Sequence, residues 1–233
     1  MTLSLKQFEA QMPDASCLSS HGLEMESSLH YLQLAILVSC LEWLWQGRQD
    51  YFIGANLTVY FSRNQLKRED VRGPDFFLVR SVSNQPRRSW VVWEEDGKYP
   101  DLVIELLSES TAATDRTVKK QLYQDRWRTP EYFWFSPDTQ EFAGWRLMGH
   151  AYTAIDPTEQ GWRWSQELEL YLGVFNGQLR YFSQSGELVP TPAEAAQQER
   201  QQAQQERQRA DQERQRAQRL AERLRALGED PDQ

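Results

Sequence analysis

The stretch that leaves this chain least freedom is DLVIELL, residues 101 to 107. It is short and apolar, it contains β-branched residues, and Gly97 and Pro100 stand before it. Such a run reads as a strand covered on both faces. Alternate residues of a strand share a face. Asp101, Val103, Glu105 and Leu107 therefore line one side, and Leu102, Ile104 and Leu106 the other. A strand buried on both sides needs layers above and below it. Glu105 sits in the middle of this run, and an ionised carboxylate is almost never fully buried unless it is paired or bound to a metal. Desolvating it costs on the order of several kcal/mol. The fold must offset that cost locally.

The chain has 233 residues, which suits one core domain with an appendage. Its 9 Trp and 10 Phe supply bulk for a core. Cys17 and Cys40 have no CxxC spacing, so neither a disulfide framework nor a zinc site is expected, and a reducing cytoplasmic setting fits. Lys6, Glu9 and Asp14 interrupt any apolar leader, so no signal peptide is expected. The most apolar segment, Leu29 to Trp45, contains His30, Gln33 and Glu42 and is shorter than the roughly 20 residues of a membrane span. It reads as a buried helix, and no membrane association is expected.

The net charge is −8. Residues 191–233 hold nine acids and eight arginines, so nearly all of the imbalance lies in residues 1–190. That excludes a protein that coats nucleic acid through a basic domain. A local basic groove, or a phosphate contact bridged by a metal, is not excluded.

Along the chain, a long helix from about Ser27 to Trp45 follows a polar start with a short helix near Leu5. DYFIGANLTVYFS reads as a strand bent at Gly54, and NQLKREDVRG as a charged loop. PDFFLVRSV is a second strand, and SWVVWEEDGKYPDLVIELL gives two strands around an Asp96-Gly97 turn. The segment from Ser108 to Trp127 is a helix with Ser and Thr available as N-caps. Six further strands follow, with breaks at Pro137-Asp138, Gly149-His150 and Asn176-Gly177. Helix, strands, helix, strands predicts an α+β fold built on one mixed sheet flanked by helices.

At Thr191-Pro192 the composition changes to a run rich in Gln, Arg and Glu. Alanines recur every seven residues at Ala196, Ala203, Ala210 and Ala217, with Leu224 next. The facing positions are Glu199, Glu206 and Glu213, then Leu220 and Leu227, so only the last units have an apolar seam. Pairs such as Glu206/Arg209 and Glu213/Arg216 support a solvated helix. The predicted organisation is a domain over 1–190 and a heptad-like helical tail over 191–233, whose helix ends at Gly228. Weak homo-oligomerisation through Leu220, Leu224 and Leu227 is the association this tail allows.

A second acid, Asp75, stands just before Phe76, Phe77, Leu78 and Val79. If its strand neighbours that of Glu105, the two acids meet on one face. They then repel each other and need a cation between them. Oxygen ligands of this kind suit Mg²⁺ or Mn²⁺, which activates water and stabilises charge on a phosphoryl oxygen. Asp115, Lys119 and Tyr123 are spaced four apart and share a helix stripe. Turned toward the strand ends, that stripe brings the Lys119 ammonium to the acids. From spacing alone, Asp115 and Lys119 read as an exposed i,i+4 pair contributing a few tenths of a kcal/mol.

Four blocks occur in order: GPDFFLV, WVVWEEDGKYPDLVIELLSEST, DRTVKKQLY and TPEYFWFSPDT. Together they resemble the Uma2 restriction endonuclease family of the PD-(D/E)xK nuclease superfamily, over roughly residues 54 to 189. The resemblance implies a restriction-endonuclease-like fold that hydrolyses DNA phosphodiester bonds with Mg²⁺ or Mn²⁺. It implies Asp75 and Glu105 as metal ligands and Lys119 as the third catalytic residue. Superfamily members often carry lysine two positions after the second acid, where this chain has Leu107. The family places the lysine on the next helix, at the position of Lys119. Lys120 points about a hundred degrees away. His30 fits the family's His-bearing first helix more loosely; it reads as a hydrogen-bonded helix-face residue rather than a metal ligand, and the resemblance keeps it as a peripheral site candidate. Asp101 suits a capping role at the strand entrance. Tyr123 suits the edge of the core. Trp145, Trp162 and Trp164 suit cross-strand pairs better than a stacking platform. The competing reading is a nuclease-like module without turnover, in which Glu105 pairs with Lys119 and the tail recruits a partner.

Overall fold

The structure, a computed structural model, describes residues 27–62, 73–108 and 112–226. The helix expected near Leu5, the charged loop over 64–72, residues 109–111 near the predicted start of the second helix, and the tail end at Leu227 and Gly228 lie outside the described residues. The chain divides into two compact units, Met1–Val189 and Pro190–Gln233.

The first unit opens with α1, Ser28–Leu44, whose Ser27 cap accepts the His30 N–H at 3.2 Å. His30, Gln33, Leu34, Leu37, Cys40 and Leu41 form its buried stripe. Leu29, Tyr31, Leu32, Trp43 and Leu44 stay exposed. The expected buried helix is therefore corrected: α1 lies on the outside of a sheet and buries one stripe. His30 and Gln33 are on the inner side, while Glu42 is exposed. The Gln33 amide donates to the Leu179 carbonyl and accepts from the Leu179 N–H, both at 2.9 Å, like an added rung of a ladder.

The strands are β1 Tyr51–Ala55, β2 Val59–Tyr60, β3 Phe76–Arg80, β4 Trp90–Val91, β5 Leu102–Leu106, β6 Glu131–Phe135, β7 Phe142–Met148, β8 Ala151–Ala154, β9 Arg163–Ser165, β10 Leu170–Phe175 and β11 Gln178–Phe182. The main sheet has the order β1-β3-β5-β6-β7-β8. Only β5 and β6 run parallel in it. A parallel step needs a long crossover, and helix α2, residues 112–127, supplies it.

The two faces of β5 are as its alternation predicts. Leu102, Ile104 and Leu106 pack with Phe76, Phe133, Leu37 and Leu41, and with Leu172 and Tyr181 of the β11-β10-β9 sheet. Val103 and Leu107 pack with Phe77, Tyr132 and Trp134, and with Tyr123 and Trp127 of α2. The result is the expected α+β fold, a mixed sheet flanked by helices.

Three local expectations are corrected. Residues 51–60 form two strands, because Asn56 turns the chain at φ 51° and β2 pairs in parallel with β4 in a separate small sheet. The Asp96-Gly97 turn is present at φ 52° and 76°, yet β4 runs into a 3₁₀ turn, Val92–Glu94, and forms no hairpin with β5. Gly54 is neither bend nor bulge. It pairs in register with Phe77, whose ring lies 2.1 Å from where a Cβ would stand, so close approach is what requires glycine there.

The second unit contains α3, Pro192–Ala226. Thr191 and Glu194 form a capping box: the Glu194 carboxylate accepts the Thr191 N–H at 2.7 Å and the Thr191 hydroxyl accepts the Glu194 N–H at 3.2 Å. Pro192 occupies the first turn, where its missing N–H costs nothing. Leu220 is exposed.

Candidate active site

Strand pairing brings the two acids together. β3 and β5 pair with Phe76 opposite Ile104, so Asp75, just ahead of β3, falls beside Glu105. The Asp75 N–H donates to Glu105 Oε2 at 3.3 Å, and the Leu106 N–H donates to Asp75 Oδ2 at 2.8 Å. From α1, His30 Nε2 lies 3.1 Å from Asp75 Oδ1. His30, placed at the periphery by its sequence, is thus in direct contact with one acid.

Helix α2 brings the rest. It contains two π-helical turns, Asp115–Lys119 and Tyr123–Trp127, separated by the α-helical turn Lys120–Leu122. In an α-helix a four-residue stripe drifts about 40° per step. The wider π turns take up that drift, and Asp115, Lys119, Tyr123 and Trp127 are all buried on one side. Lys119 Nζ lies 3.1 Å from Glu105 Oε2 and 2.7 Å from Asp115 Oδ1. The Tyr123 hydroxyl donates to Glu105 Oε1 at 2.6 Å. The expected exposed pair of Asp115 and Lys119 is therefore corrected: Asp115 is fully buried. Its spacing from Lys119 was the available signal, but an ideal helix gives no reason for such a stripe to point inward along its whole length.

The centre thus holds three buried carboxylates around one ammonium. Burial works against the Lys119 charge, but Glu105 and Asp115 beside it outweigh that and raise its pKa. Burial pushes Glu105 up; Lys119 pulls it down, while Asp75 and Asp115 push it further up, and the result is about 8. Asp115, at 2.7 Å, holds the Lys119 proton, and Glu105, crowded by the other two acids, is the group whose charge the site opposes. Burial also opposes charge on Asp75, yet the His30 hydrogen bond and the Lys119 charge keep its pKa below the ordinary carboxylate value. Burial and the Glu105 charge raise Tyr123 well above the usual phenol value, so it acts as a hydrogen-bond donor.

Leu107 is buried in the core beside Val103 and Tyr123, so the in-strand lysine position is given over to packing. Lys120 Nζ sits over the Trp145 ring, 3.7 Å from its centroid. Asp101 accepts the Arg80 N–H at 2.6 Å at the entrance to β5. The tryptophans pack against aromatic neighbours: Trp145 on Tyr132, Trp162 on Phe182, and Trp164 against Tyr171, its cross-strand partner.

Among the described residues, no group of three or more His, Cys, Asp and Glu side chains is arranged to hold a metal ion. Two adjacent carboxylates with an excess of buried negative charge nevertheless fit Mg²⁺ or Mn²⁺ chemically. Mg²⁺ is commonly held by one or two carboxylates and keeps several waters. No helix among the described residues is long and apolar enough to cross a membrane.

The fold is α+β with a buried acid–lysine centre, and comparison with known proteins gives the family. The chain belongs to the Uma2 family, described as "Putative restriction endonuclease", whose model matches residues 23–180. That membership agrees with the superfamily resemblance read from the four motif blocks. Among solved structures, the chain is similar to "a putative nuclease belonging to DUF820" from Anabaena variabilis, at 16% identity and a TM-score of 0.47, covering 74% of this chain and 95% of that one. No curated protein matches.

Proposed function

We propose that this chain is a metal-dependent endonuclease that hydrolyses DNA phosphodiester bonds, with Asp75, Glu105 and Lys119 as its catalytic residues. The observation that carries this reading is the convergence of Asp75, just ahead of β3, Glu105 of β5 and Lys119 of α2: the Asp75 N–H and Lys119 Nζ lie 3.3 and 3.1 Å from Glu105 Oε2. Family membership supports the reaction class.

Asp75 and Glu105 are the residues that hold Mg²⁺ or Mn²⁺. Such an ion supplies water activation and charge stabilisation at a phosphoryl oxygen. The chain's own groups do the rest. His30 and the Leu106 N–H fix the two oxygens of Asp75. Tyr123 orients Glu105 through Oε1. Lys119 keeps its proton, held by two carboxylates. Its role is therefore to stabilise developing negative charge as a fixed cation, not to abstract a proton.

Cleavage of linear and supercoiled DNA with Mg²⁺, Mn²⁺ and EDTA tests the reading. Metal-dependent products are expected from the wild type and none from Glu105→Gln. The competing module without turnover is favoured by the Lys119–Glu105 ion pair, which neutralises part of the buried charge with no metal at all. Calorimetry separates the two, because an inactive module paired in this way takes up no Mn²⁺. We also propose that the tail over 191–233 is separable from the domain over 1–190. Truncation after Pro190 is expected to leave the melting temperature within about 2 °C, a shift equivalent to about 0.5–1 kcal/mol.

A further inference from the structure

We infer that Asp115 is the positioning residue for Lys119, the group that keeps the ammonium beside Asp75 and Glu105 when those acids are engaged elsewhere. The inference rests on the nuclease reading. Glu105 is a poor sole anchor for Lys119, since the same carboxylate is to serve a cation, and a divalent cation at Glu105 repels an ammonium about 3 Å from it. A lysine stem is flexible, and the Lys119 side chain keeps 11% exposure, a way out to solvent. Asp115 counters both. It is 2.7 Å from Nζ, closer than Glu105, and it sits four residues back on the same helix, so it moves with the lysine. Its own place is fixed from β6, where the buried Tyr132 hydroxyl donates to the Asp115 carbonyl at 2.8 Å. The π turn over Asp115–Lys119 lets both ends of the pair point inward. A pair formed for helix stability alone would gain little from being buried among other acids.

A double-mutant cycle tests this. Wild type, Asp115→Asn, Lys119→Met and the double variant are compared in DNA cleavage with Mn²⁺, and by thermal melting in EDTA. Asp115→Asn is expected to lower kcat about 10- to 100-fold with KM unchanged, the size typical of a displaced catalytic group. The double variant is expected to be no slower than Lys119→Met, because Asp115 acts through the lysine. In EDTA its melting temperature should fall by less than the sum of the two single losses. Melting needs no active enzyme, so it reads the coupling even where Asp115→Asn is too unstable for the cleavage assay. Wild-type kcat in Asp115→Asn, or losses that multiply in the double variant, would overturn the positioning role while leaving the nuclease reading intact. A wild type that cleaves no DNA with either metal removes the nuclease reading, and this inference with it.

Discussion

Two glutamates on neighbouring parallel strands, Glu105 in β5 and Glu131 in β6, are both completely buried. Their surroundings are opposite. Glu131 accepts from Arg146 Nε at 3.0 Å and Nη2 at 2.8 Å, from the Ser165 hydroxyl, and from the N–H groups of Gln166 and Glu167 at 2.9 and 3.3 Å. Every partner is a donor, and the one acid among them, Glu167, contributes its backbone N–H. The carboxylate ties the β9–β10 connection to the main sheet. Glu105 receives Tyr123, Lys119 and the Asp75 N–H, and shares its space with Asp75 and Asp115. A buried acid surrounded by donors is a finished structural element. One surrounded by other acids is held in a state that a further cation would relieve.

The largest expected effect breaks the pair on activity. Glu105→Gln should reduce DNA cleavage by at least about 10⁴-fold, equivalent to roughly 5.5 kcal/mol in the barrier, with the metal-free melting temperature unchanged or higher at neutral pH. Asp75→Asn should behave likewise. Glu131→Gln should show the reverse, losing stability while cleavage per folded molecule stays near wild type. Equal activity losses at both positions would show that Glu105 is as structural as Glu131.

The next effect concerns stability. Removing Arg146 strands the Glu131 carboxylate in the interior, and breaking such a pair typically costs about 3–5 kcal/mol. Arg146→Ala should lose that much in urea unfolding. If it loses less than about 1 kcal/mol, the Ser165 hydroxyl and the two N–H groups suffice without the guanidinium.

The contrast explains what the sequence disclosed. Asp75 and Glu105 were legible because each is an acid embedded in apolar residues, and strand alternation puts both on one face. Lys119 was legible through the family resemblance, since spacing alone made it an exposed partner of Asp115, and Tyr123 read only as a residue at the edge of the core. Asp115 belonged to the same stripe of spacing four, yet ideal helix geometry made it an exposed partner, since π turns leave no local mark in composition. Glu131 had no reading at all as a buried acid. In TPEYFWF it begins a strand, where an acid is ordinarily solvated, and its partners Arg146 and Ser165 come from strands whose placement the sequence does not fix. Similarly, β4 looked like half of a hairpin because Asp96-Gly97 is a good turn; pairing with β2 decided otherwise.

The smallest expected effect sharpens the comparison through pH. In metal-free protein the pKa of Glu105 is pushed up to about 8, against an ordinary 4.5. Between those values the folded protein keeps a proton that the unfolded chain has released. The stabilisation from that proton is complete below about pH 4.5 and is lost as pH rises through about 8. Asp75 works at the other end of the scale: its pKa is lowered in the fold, so its contribution is present above 3.8 and is lost as pH falls through its folded value. Glu105 therefore contributes through the window from 4.5 to 8, and its share is isolated by comparing wild type with Glu105→Gln. Glu105→Gln removes the titration, so the variant should gain steadily on wild type as pH rises from 5 to 9. Chemical denaturation in EDTA from pH 5 to 9 measures it. Mn²⁺ should flatten the wild-type curve, because a bound cation replaces the proton, and it should leave the Glu105→Gln curve unmoved. Parallel curves for the two proteins in EDTA would mean that Lys119 already satisfies Glu105, as Arg146 satisfies Glu131, and the distinction between the two buried glutamates would be lost.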